Sequence, residues 1–292
     1  MSQTLQALAP AKINLFLRVT GKRANGYHEL DSLFLPVALY DRVAVTLSAS
    51  SRPSIKLKST LPGLPTDERN LAYRAAKEML ERCGRTFEVT INLEKAIPVG
   101  GGLGGGSSDC ASVLKLLANE FGGLSEQELR ELALTLGADV PFFLVGQPAR
   151  VSGIGEIINL LPRAPLLDLV LVTAPVEVST ARVFAHLKAS DWSGPAPDEE
   201  IEQFCAGKVS PELVRNDLLR PALSLYPEIA EAWRILETTC PQVCGLSGSG
   251  ATVFGVYPDA ESARRASEKI RNAKPELSVC AVRTLGVNAH SS

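Results

Sequence analysis

Residues 11–19, AKINLFLRV, alternate strictly. Ala11, Ile13, Leu15 and Leu17 fall on one face, and Lys12, Asn14, Phe16 and Arg18 on the other. That is the period of a β-strand with one apolar side. DRVAVTLSA (41–49) and SIKLKS (54–59) read as further strands. The period then lengthens: NLAYRAAKEMLERCG (70–84) is helical and closes on Gly84, and FEVTINLEKAI (87–97) returns to strand. SSDCASVLKLLANEFGG (107–123) has helical spacing, with Ser107 or Ser108 as the expected N-cap and Asp109 in the favoured first turn. LSEQELRELALTLG (124–137) carries a capping box from Ser125 to Glu128 and stops at Gly137. ADVPFFLVG is expected to continue extended, because Val140 precedes a proline.

Beyond about residue 155 the texture changes. LLDLVLVTAP (166–175) is strand-like, SGPAPDEE (193–200) is a turn-rich surface segment, and PEIAEAWRILETT (227–239) is helical. A second glycine cluster lies inside a strand-turn pattern, VCGLSGSGATVFGVYP (243–258). A strong helix, DAESARRASEKIRNA (259–273), and a closing strand, LSVCAVRTL (277–285), follow. The expected architecture is α+β in two domains, 1–155 and 156–292.

Composition narrows the function class. Thirty basic and 32 acidic residues give a net charge of −2 over 292 residues, without the basic excess of a nucleic-acid binder. No apolar run approaches the roughly 20 residues of a membrane span, and MSQTLQALAP lacks an export signal's charged start and apolar core. The six cysteines are scattered, only Cys240 and Cys244 lie close together, and no second pair or nearby histidine completes a zinc set. A reducing cytoplasmic setting is the expectation.

The candidate chemistry centres on IPVGGGLGGGSSD, where six glycines occupy seven positions, Gly100–Gly106. A linker would have polar, unpatterned flanks; here a strand precedes and a helix follows. Gly100, Gly102 and Gly105 match the spacing G-x-G-x-x-G, but Glu120 ends the next helix where a dinucleotide fold needs an acid after the next strand. No Gly-Lys-Ser/Thr follows, which removes the Walker A loop. What survives is an anion cradle of backbone N–H groups at a helix N-terminus, suited to a triphosphate.

These residues resemble the phosphate loop of the GHMP kinases, the superfamily of galactokinase, homoserine kinase and mevalonate kinase. The superfamily pattern is Pro, three variable residues, then Gly-Leu-x-Ser-Ser-Ala; here extra glycines separate Leu103 from Ser107, and Asp109 replaces the alanine. That departure is typical of the branch acting on a cytidine-diphosphate-linked methylerythritol in the non-mevalonate route to isoprenoids. PAKINLFLRVTGKRANGYHELDSLF (10–34), LGADVPFFL (136–144) and GLSGSGATVFG (245–255) match the same branch in register, while 193–215 matches weakly.

The resemblance implies a two-domain GHMP kinase fold, with a left-handed βαβ nucleotide-binding domain followed by an α+β substrate domain. It implies ATP and Mg²⁺ as cofactors and a small-molecule acceptor, in a monomer or homodimer. Pro98, Val99, Gly100, Gly101, Gly102, Leu103, Gly104, Gly105, Gly106, Ser107 and Ser108 would hold the nucleotide phosphates, with Ser108 also toward the metal. Asn70, Leu71 and Lys95 would lie near the adenosine. Asp139 would be the catalytic base and Lys12 its partner, with Asn14 positioning the substrate. Tyr27, His28 and Phe184 would form the cytidine pocket, with Thr180 beside it.

Each residue also has a plainer reading. Asp139 after a glycine is commonly a turn aspartate, and Lys12 on a polar strand face is commonly a solvated edge lysine. Ser107 and Ser108 could only cap a helix; Asn70 could be an N-cap, Leu71 a core residue and Lys95 a surface lysine. Ser247 and Ser249 belong to a turn that should lie against the phosphates or the loop, and a plain β-turn would equally explain their glycines. Functional alternatives are a mevalonate- or homoserine-type kinase and a non-catalytic nucleotide-binding module.

Overall fold

The computed structural model describes residues 2–24 and 26–287. Two compact units emerge, each built from discontinuous pieces. The first comprises the chain before Lys12, Leu39–Ile97 and Gly104–Gly146; the second comprises Lys12–Ala38, Pro98–Leu103 and the chain from Gln147 onward.

In the first unit, the C-terminal half of β2 (His28–Ala49) pairs antiparallel with β4 (Phe87–Glu94), from Arg42↔Glu94 to Ala49↔Phe87. β3 (Ser54–Ser59) lies parallel to β4 on its other side. A parallel pair needs a crossover, and α1 (Leu71–Arg82) supplies it. Its buried residues Ala72, Ala75, Ala76, Met79 and Leu80 recur at helical spacing, so one apolar face packs inward. Asn70 caps it by accepting a hydrogen bond from the Ala72 N–H at 3.0 Å. α2 (Gly105–Phe121) packs on α1, and α3 (Glu126–Leu136) and α4 (Val140–Val145) pack beside it.

In the second unit, β7 (Asp168–Thr173), β8 (Val243–Leu246), β9 (Thr252–Tyr257) and β10 (Ser278–Arg283) form an antiparallel sheet in the order β10-β7-β9-β8. α8 (Pro227–Glu237) and α9 (Ala260–Ala273) pack against it, burying Ile229, Ala232, Leu236 and Ile270 with Val170, Val172 and Val253. β5 (Ala149–Gly153) and β6 (Ile157–Leu160) form a hairpin, and β5 also pairs with the start of β2, from Leu30↔Gly153 to Phe34↔Ala149. α5 (Thr180–Ala185), α6 (Asp198–Cys205) and α7 (Leu219–Leu225) complete the unit.

An ion pair between half-buried Arg150 and buried Asp31 secures the strand that carries His28. Arg150 donates two 2.8 Å hydrogen bonds to the Asp31 carboxylate, which also accepts from the Ala196 N–H at 2.8 Å. The Asp31 side chain is 4% exposed. Arg150→Leu would strand that carboxylate away from water and should destabilise the fold by about 3–5 kcal/mol. Chemical denaturation reads this directly, and a loss below about 1 kcal/mol would refute it.

The structure corrects three local expectations. Ser107 and Ser108 do not cap α2; Gly104 does, at φ +71°, with no side-chain cap. A left-handed entry brings the chain into the helix three or four residues earlier than a cap at Ser107 or Ser108 would, and glycine tolerates it. Asp109 therefore lies beyond the first turn. Residues 140–145 are helical rather than extended, with Pro141 in the opening turn of α4, where a missing N–H costs nothing. The polar face of 11–19 is not solvated: Lys12, Asn14, Phe16 and Arg18 are all buried in β1 (Ser2–Lys22). His28 itself opens the 22-residue strand β2. Among the described residues no helix is long and apolar enough to cross a membrane, and the cysteines are free thiols.

Candidate active site

In the second unit the crown of the glycine loop is stitched to the β8–β9 turn. The Gly101 carbonyl accepts from the Thr252 N–H at 3.1 Å, and the Gly102 carbonyl accepts from the Ser247 hydroxyl at 2.9 Å. Lys12 N–H donates to the Leu103 carbonyl at 2.9 Å, so β1 closes the other side of the crown. Side chains are excluded where the two turns meet. A Cβ on Gly102 would lie 2.2 Å from the Ser247 carbonyl oxygen. Val99, at the outer edge of the loop, is 61% exposed.

Lys12 is 3% exposed, which removes the edge-lysine reading. Its ammonium donates to Asn14 Oδ1 at 2.7 Å and lies 4.8 Å from the centre of the Phe34 ring. Asn14 Nδ2 donates to Ser32 Oγ at 2.9 Å, and Ser32 in turn donates to the Phe16 carbonyl. Asn14 N–H donates to Ser247 Oγ at 3.3 Å. Lysine, asparagine, two serines and the loop carbonyl thus form one buried relay. Ser247, fully buried at its centre, fixes the loop and Asn14 together. Its sequence signal was the second glycine cluster.

The expected cytidine residues fall partly together. His28 stacks on Phe184 of α5, with ring centres 4.9 Å apart and planes at 22°. Trp192 meets His28 edge-on at 6.0 Å, a neighbour the sequence did not single out because it precedes a turn-rich stretch. Tyr27, just before β2, is 62% exposed. Thr180 Oγ1 and Ser249 Oγ share a hydrogen bond of 2.8 Å.

Burial, helped by the charge of Lys22, lowers the His28 pKa from its ordinary 6.5. The ring is therefore neutral at neutral pH and can meet a base edge as donor or acceptor. Stability is fully present above 6.5 and is lost as pH falls through the lowered value, because the unfolded chain takes up the proton first. His28→Gln should flatten the acid side of the melting-temperature profile below that pH; an unchanged profile would count against it.

In the first unit, Asn70 and Leu71 open α1, and Asn70 Nδ2 also donates to the Pro65 carbonyl at 2.9 Å. Lys95 is no surface lysine. Its side chain is 4% exposed, and its ammonium donates to Asp41 and, at 2.6 Å, to Asp109. Burial, with the Asp41 charge, pushes the Asp109 carboxyl up to about 7 against the opposing pull of Lys95. Ser108 Oγ is buried with no hydrogen-bond partner among the described residues. Asp139 precedes α4, is half-buried and makes no capping hydrogen bond to it, which weakens the turn-aspartate reading.

No cluster of three or more His, Cys, Asp or Glu residues suited to a metal occurs among the described residues. The orphaned Ser108 hydroxyl is a single hard oxygen donor. That fits Mg²⁺ carried in with a nucleotide, since this ion keeps most of its ligands from phosphate and water.

The model for the GHMP kinases N terminal domain matches residues 70–147, and that for GHMP kinases C terminal matches residues 200–276. The 4-diphosphocytidyl-2-C-methyl-D-erythritol kinase of Geobacter sp. (strain M21) is 37% identical over 286 residues, spanning 96% of this chain and 99% of the relative. The same enzyme of Anaeromyxobacter dehalogenans (strain 2CP-C) is 41% identical over 274 residues, 91% of this chain and 85% of the relative. A crystal structure of 4-(cytidine 5'-diphospho)-2C-methyl-D-erythritol kinase superposes with a TM-score of 0.84 at 37% identity, covering 97% of this chain and 100% of the other. Homoserine kinase from Cytophaga hutchinsonii, at 19% identity and a TM-score of 0.72 over 97% of this chain and 94% of the other, shares the fold. The chain belongs to the GHMP kinases and, within them, to the 4-diphosphocytidyl-2-C-methyl-D-erythritol kinase family.

Proposed function

We propose that the protein transfers the γ-phosphoryl group of ATP to the 2-hydroxyl of 4-diphosphocytidyl-2-C-methyl-D-erythritol, giving the 2-phosphate and ADP in isoprenoid precursor synthesis. The observation that carries the acceptor is the stack of His28 on Phe184 with Trp192 at its edge. Mevalonate, homoserine and galactose have no base for such rings to grip. Aromatic faces supply affinity, and a neutral imidazole reading the base edge supplies selectivity.

Phosphoryl transfer needs little covalent chemistry from a protein; positioning and charge stabilisation do most of the work. The loop Pro98–Ser108 is assigned to the nucleotide phosphates, and Asn70 and Leu71 to the nucleoside end. Lys95, whose ammonium is committed to two carboxylates, acts there through the chain it holds. Mg²⁺, when bound with ATP, neutralises phosphate charge, and Ser108 is the residue assigned to it. Asp139 takes the proton from the acceptor hydroxyl. Lys12, held by Asn14, lowers that hydroxyl's pKa and offsets the charge developing on it. Thr180 and Tyr27 are assigned to the cytidyl moiety.

ADP release with the cytidyl substrate, run beside mevalonate, homoserine and galactose, tests the reading. Turnover is expected with the cytidyl compound alone, and turnover confined to any of the other three would overturn it. Phe184→Ala should raise KM for the cytidyl substrate roughly tenfold to a hundredfold, the worth of one base stack, and leave KM for ATP unchanged. An equal rise in both would remove Phe184 from the base pocket.

A further inference from the structure

The glycine loop enters from Lys95–Ala96–Ile97 and leaves into α2, and one buried cluster holds both stems. Asp41 Oδ1 accepts from the Ala96 N–H at 2.7 Å and from the Ile97 N–H at 2.9 Å, pinning the entering stem. Asp41 Oδ2 accepts from Lys95, whose ammonium also reaches Asp109 Oδ2, on the leaving stem, at 2.6 Å. Side-chain exposures are 4% for Lys95, 0% for Asp41 and 3% for Asp109.

A lone buried cation between two carboxyl groups is a poor device for stability alone, since the cost of desolvating the charges offsets most of their attraction. Its geometry suits a different task. Asp109 Oδ1 and Ser108 Oγ are both buried without a hydrogen-bond partner among the described residues, so polar capacity is concentrated at the start of α2. Gly105 sits so close that a Cβ there would lie 3.0 Å from Ile97 and 3.4 Å from Asp41 Oδ2. The first N–H groups of a helix have no intrahelical partner, and those of α2 have no side-chain cap.

We propose that Asp41, Lys95 and Asp109 are positioning residues for phosphoryl transfer, a clasp that sets where α2 begins and where the N–H groups of Gly105–Ser107 point. The nucleotide consequence rests on the assignment of this loop to ATP phosphates. The clasp itself does not. It acts on the nucleotide through the backbone, with no side chain of the three required to touch it.

Three proteins test this: wild type, Asp109→Asn, and the double variant Lys95→Met/Asp109→Leu, which removes one charge of each sign and guards against a single variant that fails to fold. Hydrogen exchange without nucleotide reads the clasp directly. Amides of the first hydrogen-bonded turn of α2, Ser108–Ala111, should exchange on the order of tenfold faster in both variants while those of α9 stay as in wild type. Calorimetry with ATP and steady-state kinetics should show Kd and KM for ATP raised on the order of tenfold to a hundredfold, with KM for the cytidyl substrate unchanged. Unchanged exchange at Ser108–Ala111, or ATP affinity within twofold of wild type in either variant, overturns the clasp. Faster exchange in the variants together with no ATP binding by the wild type would leave the clasp standing and remove the ATP assignment instead.

Discussion

Asp139→Asn should lower kcat by about two to four orders of magnitude, the usual worth of a positioned general base, while the melting temperature stays near that of the wild type. Asparagine keeps the shape and removes the basic oxygen. The side chain makes no capping bond to α4, so helix stability should not suffer through a lost cap. Lys12→Ala should cost about two to three orders of magnitude for a different reason, loss of the charge that offsets the developing alkoxide. It should also reduce stability, because truncation leaves space beside the Phe34 ring and removes a donor from buried Asn14. Saturating kcat for both, paired with thermal melts, separates the two effects. A kcat within threefold of wild type in Asp139→Asn would end its role as the base.

The second large effect belongs to Gly102. Its φ of +74° is one that side-chain-bearing residues rarely adopt, and an added methyl would sit 2.2 Å from the Ser247 carbonyl and 2.8 Å from that of Gly250. Both are backbone atoms that no rotamer change can move aside. Gly102→Ala should therefore push the loop off the turn, break the Ser247–Gly102 hydrogen bond and disturb Asn14 through its bond to Ser247. Loss of ATP turnover by a factor of about a hundred or more is expected, on the scale of a roughly 1 Å misplacement. Gly286→Ala, outside the loop, is the control, since a Cβ there makes only an ordinary contact, 3.5 Å from Leu166. Equal activity in the two variants would show that the close contact does not govern the loop.

Local patterning made the regular elements legible. The capping box of Ser125 and Glu128, the apolar face of α1 and the helix at 260–273 all follow from spacing and end signals. Failures occurred where distant chain decides local shape. Lys12 looked solvated because a strand's alternation reports two faces and cannot say that both are covered. The start of α2 was misplaced because a serine cap and a left-handed glycine entry are both sound local solutions, and the surroundings chose. Asp41 gave no signal at all: it opens the stretch DRVAVTLSA as an ordinary polar residue, and its partners lie more than 50 positions away. Of the proposed base pocket, His28 and Phe184 came from the resemblance, and Trp192 required the fold.

The discontinuous make-up of the second unit bears on how the chain is born. Leu17, made early, donates its N–H to the Arg215 carbonyl at 2.8 Å and accepts from the Asp217 N–H at 2.9 Å. The Pro36 carbonyl accepts from the Leu285 N–H at 2.7 Å. On a ribosome, the strands bearing Lys12 and His28 emerge first and wait for about 200–250 further residues before these partners exist. At typical elongation rates of about 5–20 residues per second, that wait lasts tens of seconds. Their apolar runs, INLFL and LFLPVAL among them, lack these late partners through that interval. Long-range pairing of this kind folds slowly and aggregates readily, so yield in cells should respond to translation speed and chaperone supply more than to any single core residue.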